Sequence, residues 1–215
     1  MNKRKGLLAV LLVMLVTVAG ISAYFTDSDT ATNTFTVGKI DVELQEPSWN
    51  EDNGENVLPN ETVAKDPQVK NIGTNEAYVF LEVTVPYVQN AKIFDDNSQA
   101  VETVSKSNLF DYTVNGGWYD ISATWGTDNG DGTYTYVYAY GTSTQLTSLA
   151  AGATTSKLFN SVTMPNFVEG QGLEGSTKDI VINAKAIQVD GLKGEITPIT
   201  VYATLKIQSG EHFDD

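Results

Sequence analysis

The chain contains no cysteine and one histidine, His212, in 215 residues. The first absence excludes disulfides, a thiol nucleophile and thiolate metal ligation, so stability must come from core burial, sheet pairing or subunit contacts. The second bears on histidine-dependent hydrolysis. A catalytic zinc site usually takes several histidines, and an HExxH helix needs two on one face. A Ser–His pair would depend on His212 alone, which sits in the polar tail Ser209–Asp215. No metal site, no cofactor and no enzymatic activity are expected.

Cations are also scarce. Thirteen Lys and Arg face 27 Asp and Glu, a formal net charge of -14. Such a surface repels nucleic acid and anionic lipid and keeps a secreted protein soluble. Three of the cations, Lys3, Arg4 and Lys5, precede the one long apolar run, Gly6–Ile21, which ends at Ser22-Ala23. A basic start, an apolar stretch and a small residue at the end form a signal-peptide pattern, and the run is shorter than the roughly 20 residues of a spanning helix. Cleavage is expected between Ala23 and Tyr24, with membrane contact confined to the transient signal peptide. Leu58-Pro-Asn-Glu-Thr62 imitates a sortase signal without its final glycine or the apolar segment after it. Asn60-Glu-Thr62 matches a glycosylation sequon and is read as chance.

Beyond the leader, no strongly amphipathic helical pattern is present, and period-2 alternation dominates. Val79, Leu81, Val83 and Val85 alternate with Tyr78, Phe80, Glu82 and Thr84, and Pro86 is expected to end that strand. Thr62–Val69, with Pro67 inside, reads as an edge or bulged strand. Trp118–Trp125 and Thr133–Tyr140 read as a hairpin around Asp128-Asn-Gly-Asp-Gly132. Lys157–Met164, Asp179–Val189 and Ile199–Ile207 read as further strands, and Ser98–Val104 as a helical turn. Eight or nine strands with turns between them predict an all-β chain, a single antiparallel β-sandwich of jelly-roll or alternatively Ig-like type. The expected division is a signal peptide over 1–23, a separate N-terminal segment over 24–38 and the sandwich over 39–215.

Two local features invite a functional reading and are better read as structure. Counted as an EF-hand from Asp128, the third position is Gly130 and the twelfth is Ala139, so the ligand pattern fails and a turn remains. The row Tyr134, Tyr136, Tyr138 and Tyr140 resembles a glycan platform, but such rows more often pack across strands or form a subunit interface.

The N-terminal stretch is the most informative. Tyr24–Thr34 is polar apart from Tyr24, Phe25 and Ala31. Phe35 and Val37 then fall on one strand face, and Ile40, Val42 and Leu44 on the other. A bend or bulge at Gly38 must absorb this phase change. Ala23-Tyr-Phe-Thr-Asp27 followed by Thr34-Phe-Thr-Val-Gly-Lys-Ile-Asp-Val42 resembles secreted proteins processed by a SipW-type signal peptidase, the TasA/camelysin (CalY) family. Lys65–Gly73 leading into Ala77–Leu81, Leu158–Pro165 and Ile182–Gln188 are similar to the same family and keep its order.

That resemblance implies a secreted, Gram-positive matrix protein of jelly-roll fold. Its copies would join head to tail into extracellular biofilm fibres, the N-terminal strand of one subunit completing the sheet of the next. The donor residues would be Tyr24, Phe25, Phe35 and Val37, with Gly38 as the swivel. The resemblance also carries an enzyme alternative, a camelysin-like surface metalloprotease. The aromatic row carries another, a monomeric glycan-binding adhesin.

Overall fold

The computed structural model describes residues 39–95, 100–173 and 175–210. The chain divides between Val37 and Gly38, and every described residue lies in the second unit, Gly38–Asp215. In chain order the strands are β1 (Val42–Gln45), β2 (Thr62–Ala64), β3 (Gln68–Asn71), β4 (Ala77–Phe94), β5 (Val101–Asn108), β6 (Trp118–Asp120), β7 (Thr127–Asp128), β8 (Thr133–Tyr140), β9 (Ser161–Thr163) and β10 (Val181–Gln188). A helical turn, α1 (Ser122–Trp125), follows β6, and a helix, α2 (Pro198–Gln208), follows β10.

The long strand β4 is the spine. Its first half lies between β10 and β8, which is flanked in turn by β6 and β7; its second half pairs with β5. β1 pairs with β3 and β2 with β9, and every pairing is antiparallel. The all-β sandwich is thus present, its second layer made of two separate strand pairs rather than one sheet.

Alternation along β4 separates two cores. Val79, Leu81, Val83 and Val85 are fully buried with Val63, Val69, Tyr138 and Phe159, beneath the β1–β3 and β2–β9 pairs. Phe80 points the other way, among Val137, Ala139, Ile121 and Ile187. A sheet apolar on both faces needs a cover on each. On the second face the cover is α2, through Val201, Tyr202 and Leu205.

Here the chain departs from the alternation. Ile199–Ile207 reads as a strand yet forms a helix. Thr197 accepts the Thr200 backbone N–H and Thr200 returns the bond, a capping box, while Pro198 occupies the first turn, where its missing N–H is harmless. Val201, Tyr202 and Leu205 are the buried set, at a spacing of one helical face.

Other boundaries move for local reasons. Trp118–Trp125 stops being a strand at Asp120, whose carboxylate accepts the Ser122 N–H at 2.7 Å and turns the chain into α1. Pro86 does not end β4. It marks the exchange of partners: β8 pairing finishes at Pro86, β5 pairing begins at Tyr87, and the Pro86 carbonyl accepts the Leu109 N–H at 2.8 Å. Val101–Asn108 is a strand where a helical turn is expected at Ser98–Val104; residues 96–99 lie outside the described set. Thr62–Val69 divides into β2 and β3 around Lys65-Asp66-Pro67, each half taking a different partner. Within Lys157–Met164 only Ser161–Thr163 is strand.

Candidate functional site: an apolar groove beside strand β10

The residues singled out at the N-terminus (Ala23, Tyr24, Phe25, Phe35, Val37 and Gly38) lie outside the described residues, as does His212. The described body begins at Lys39, where the chain is firmly tied. The Thr74 N–H donates to the Lys39 carbonyl at 2.9 Å, and the Ile72 and Gly73 N–H groups both donate to the Asp41 carbonyl at 3.0 Å. A side chain at position 73 would bring its Cβ against the Lys39 carbonyl oxygen and the Asp41 nitrogen, so glycine is what permits this approach. Val42 and Leu44 then pack on the larger core, as their phase requires.

Lys65–Gly73, one of the stretches that carries the family likeness, is a structural knot. Lys65 is buried, 2.8 Å from a Glu46 carboxylate oxygen and 4.5 Å from the Trp49 ring centroid. Asp66 is 1% exposed; it accepts the Ser48 N–H at 2.7 Å and pairs with Lys157 at 2.8 Å. Burial pushes its carboxyl up, but the Lys157 and Ser48 hydrogen bonds together outweigh this and hold it below the usual carboxylate value. Asn71, fully buried, donates to the carbonyls of Asn75 and Leu149. The Lys65 and Asp66 contacts fix the loop before β2 against the sandwich.

That loop forms one wall of a groove of about 990 Å³. Val57, Leu58, Phe110, Val162, Met164 and Ile180 supply much of its apolar lining, and Glu51, Glu55, Glu169 and Asp179 stand at its margin. Leu58 is 65% exposed, and Val57, Phe110 and Ile180 are packed on the main core only in part. The groove's outer lining is therefore partly open to solvent, over core residues Val63 and Val162 that stay buried. β10 begins at the groove, directly after Ile180. Among the described residues it has one strand neighbour, β4. Its inward residues Ile182, Ala184 and Ala186 are half-buried, a ledge of small apolar groups along an edge.

The other sequence candidates resolve as structure. Asp128 receives hydrogen bonds from Lys106 at 2.8 Å and Tyr87 at 3.0 Å, and Asp131 receives the Thr133 N–H at 3.0 Å. Their carboxylates are consumed in the turn, and the Lys106 bond holds Asp128 below its ordinary pKa. Of the tyrosine row, Tyr138 is buried and Tyr136 and Tyr140 pack on the core. Tyr138 shares a 2.9 Å hydrogen bond with Tyr112, and Tyr140 lies 5.2 Å from Trp118. No helix among the described residues is long and apolar enough to cross a membrane.

A metal-dependent reaction would need a donor set. Among the described residues, no three His, Cys, Asp or Glu side chains are grouped so as to hold an ion. The soft or imidazole ligands that zinc prefers are also missing from them. These residues do not fit a catalytic zinc.

Reading the sequence alone misses the groove, because its walls come from segments more than a hundred residues apart. The one local signal is the apolar Val57-Leu58 pair inside an otherwise acidic loop.

A family model described as camelysin metallo-endopeptidase matches residues 4–109. The match takes in the Ala23–Val42 and Lys65–Leu81 stretches, and Leu158–Pro165 and Ile182–Gln188 lie beyond it. No curated protein matches the chain.

Proposed function

From the camelysin-family sequence carried by residues 4–109, we propose that the chain is a secreted structural subunit that polymerises into extracellular matrix fibres. A SipW-type signal peptidase cuts between Ala23 and Tyr24. The freed segment Tyr24–Val37 of one copy then adds as a strand to the next, Phe35 and Val37 anchoring it, Tyr24 and Phe25 assisting, and Gly38 serving as the swivel. Backbone hydrogen bonds supply affinity, and pockets for alternate side chains set the register. Such a contact is head to tail and does not close, so it yields filaments. The sandwich is read as the jelly-roll type that the family resemblance implies.

The observation that carries this reading is the pairing of the apolar groove with the β10 edge. The groove has space for large side chains, and β10 runs from it with β4 as its one strand neighbour among the described residues. The metallo-endopeptidase reading rests on the family's description, and the described residues bring it no ligand set.

The test is deletion of Tyr24–Val37 from the secreted chain, followed by negative-stain electron microscopy. Loss of fibres with a retained β-sheet spectrum is expected. Fibres of unchanged morphology would overturn the reading.

A further inference from the structure

The helix α2 is apolar on both sides. Its inner side buries Pro198, Val201, Tyr202 and Leu205. Its outer side carries Ile199, Ala203 and Ile207, three residues spaced by four. Ile199 is 41% exposed and Ile207 66%, and Ile196, just before the helix, is 37% exposed. A helix lying on a sheet ordinarily turns a polar face to water. Here the outward stripe is isoleucine, alanine, isoleucine.

The stripe is symmetric about Ala203. Turned end for end, it reads the same, so Ile199 of one copy meets Ile207 of another while the two Ala203 residues meet each other. Residues spaced by four form a ridge, and ridges of this kind pack against their own kind at a crossing angle near −50°. Alanine at the crossing point allows the axes to approach to about 8 Å, the close end of the usual range. Charge favours the same place. The chain has a net charge of -14, yet α2 contains no acid, and its one charged residue is Lys206. Two acidic copies meet with less repulsion here than over the acid-bearing loops.

We infer that the outer face of α2 is a two-fold contact between copies of this chain. The stripe spans about 12 Å of helix, far too little for the roughly 1,000 Å² that a stable free dimer buries. The free contact is therefore transient, populated at high protein concentration, and it is held where subunits are already arrayed, since repetition along a filament adds many weak contacts. Its role as a lateral contact between filaments therefore rests on the fibre reading, while the helix pairing itself does not.

The absence of cysteine makes the test clean. In Ala203→Cys, two thiols on the two-fold axis come within disulfide reach, whereas in Gln208→Cys each thiol lies about 15 Å from its mate along the crossed helices. Mild oxidation of the secreted protein, in fibres and at high concentration in solution, should cross-link Ala203→Cys into dimers and leave Gln208→Cys monomeric. Equal cross-linking of the two, or none in either, would overturn the contact. In Ile199→Glu/Ile207→Glu, filaments should keep their length and lose lateral association; undiminished pairing would also overturn it. If the unaltered chain forms no fibres, the fibre reading fails, and the cross-link in solution still decides the helix contact.

Discussion

Lys157 places its ammonium 2.8 Å from the buried Oδ2 of Asp66, joining the loop before β9 to the break between β2 and β3. The Asp66 side chain is 1% exposed and that of Lys157 41%, so the acid is committed to this pair while the base keeps contact with water. Removing the base strands a buried carboxylate and should therefore cost more than neutralising the acid, whose partner stays in water.

Asp66→Asn is expected to destabilise the fold by about 1–3 kcal/mol at neutral pH, the range for a buried hydrogen-bonded group losing a charged partner. The pH dependence follows from the depressed carboxyl. In the folded chain it titrates below its ordinary value of 3.8. The stabilisation is thus complete above that value and lost as pH falls through the folded value. The gap in urea midpoint between wild type and Asp66→Asn should be full at pH 7 and narrower at pH 3, below the ordinary carboxyl value. An equal gap at both would refute the assignment.

Leu205 and Tyr202 test whether α2 is integral to the body. Leu205→Ala should cost about 2–5 kcal/mol as a buried truncation. The Tyr202 hydroxyl donates to Glu82 on β4, and burial pushes its pKa up, so it stays protonated as the donor. Tyr202→Phe should cost about 1 kcal/mol. Thermal melts that leave both variants at the wild-type midpoint would mean that the helix does not cover the second core.

Ile180→Glu tests the groove. Ile180 lines the slot just before β10 and is only half-buried, so a carboxylate there should leave the monomer folded while spoiling an apolar strand site. The sedimentable fraction of secreted protein is expected to fall sharply, with an unchanged circular dichroism spectrum. A wild-type sedimentable fraction would separate this groove from assembly.

Casein cleavage by the purified chain, with zinc added and with metal chelated, addresses the endopeptidase reading. No cleavage above background is expected in either condition, nor any change in His212→Ala. Metal-dependent cleavage that disappears in His212→Ala would make the tail histidine a ligand and displace the structural reading.

Much of the sandwich was legible because a strand records its two faces in alternate residues. Val79 to Val85 and Ile182 to Ala186 lie on the core face that their spacing indicates, and the tyrosines of β8 pack as a cross-strand row should. Local chemistry was legible too. Asp128–Gly132 is a turn because its glycines take positive φ and its acids bond nearby backbone. The same reasoning failed at Ile199–Ile207. Alternating apolar residues satisfy a strand template, but a helix apolar on both sides satisfies it equally well, and the capping Thr197-Pro198 pair was the signal that separates them.

The amino-acid sequence by itself determined the β-rich class, the absence of thiol chemistry and the odd-to-even change in apolar spacing between Val37 and Ile40, since each depends on residue identity or on spacing. Tertiary structure decided which segments share a sheet, that β4 exchanges partners at Pro86, and that a helix covers the second face of the sheet. It also decided that Val57 and Ile180 line one groove. These outcomes depend on contacts between residues tens to more than a hundred positions apart. Hydrophobic burial drives such contacts, but it is non-directional, and no local pattern specifies which apolar face meets which.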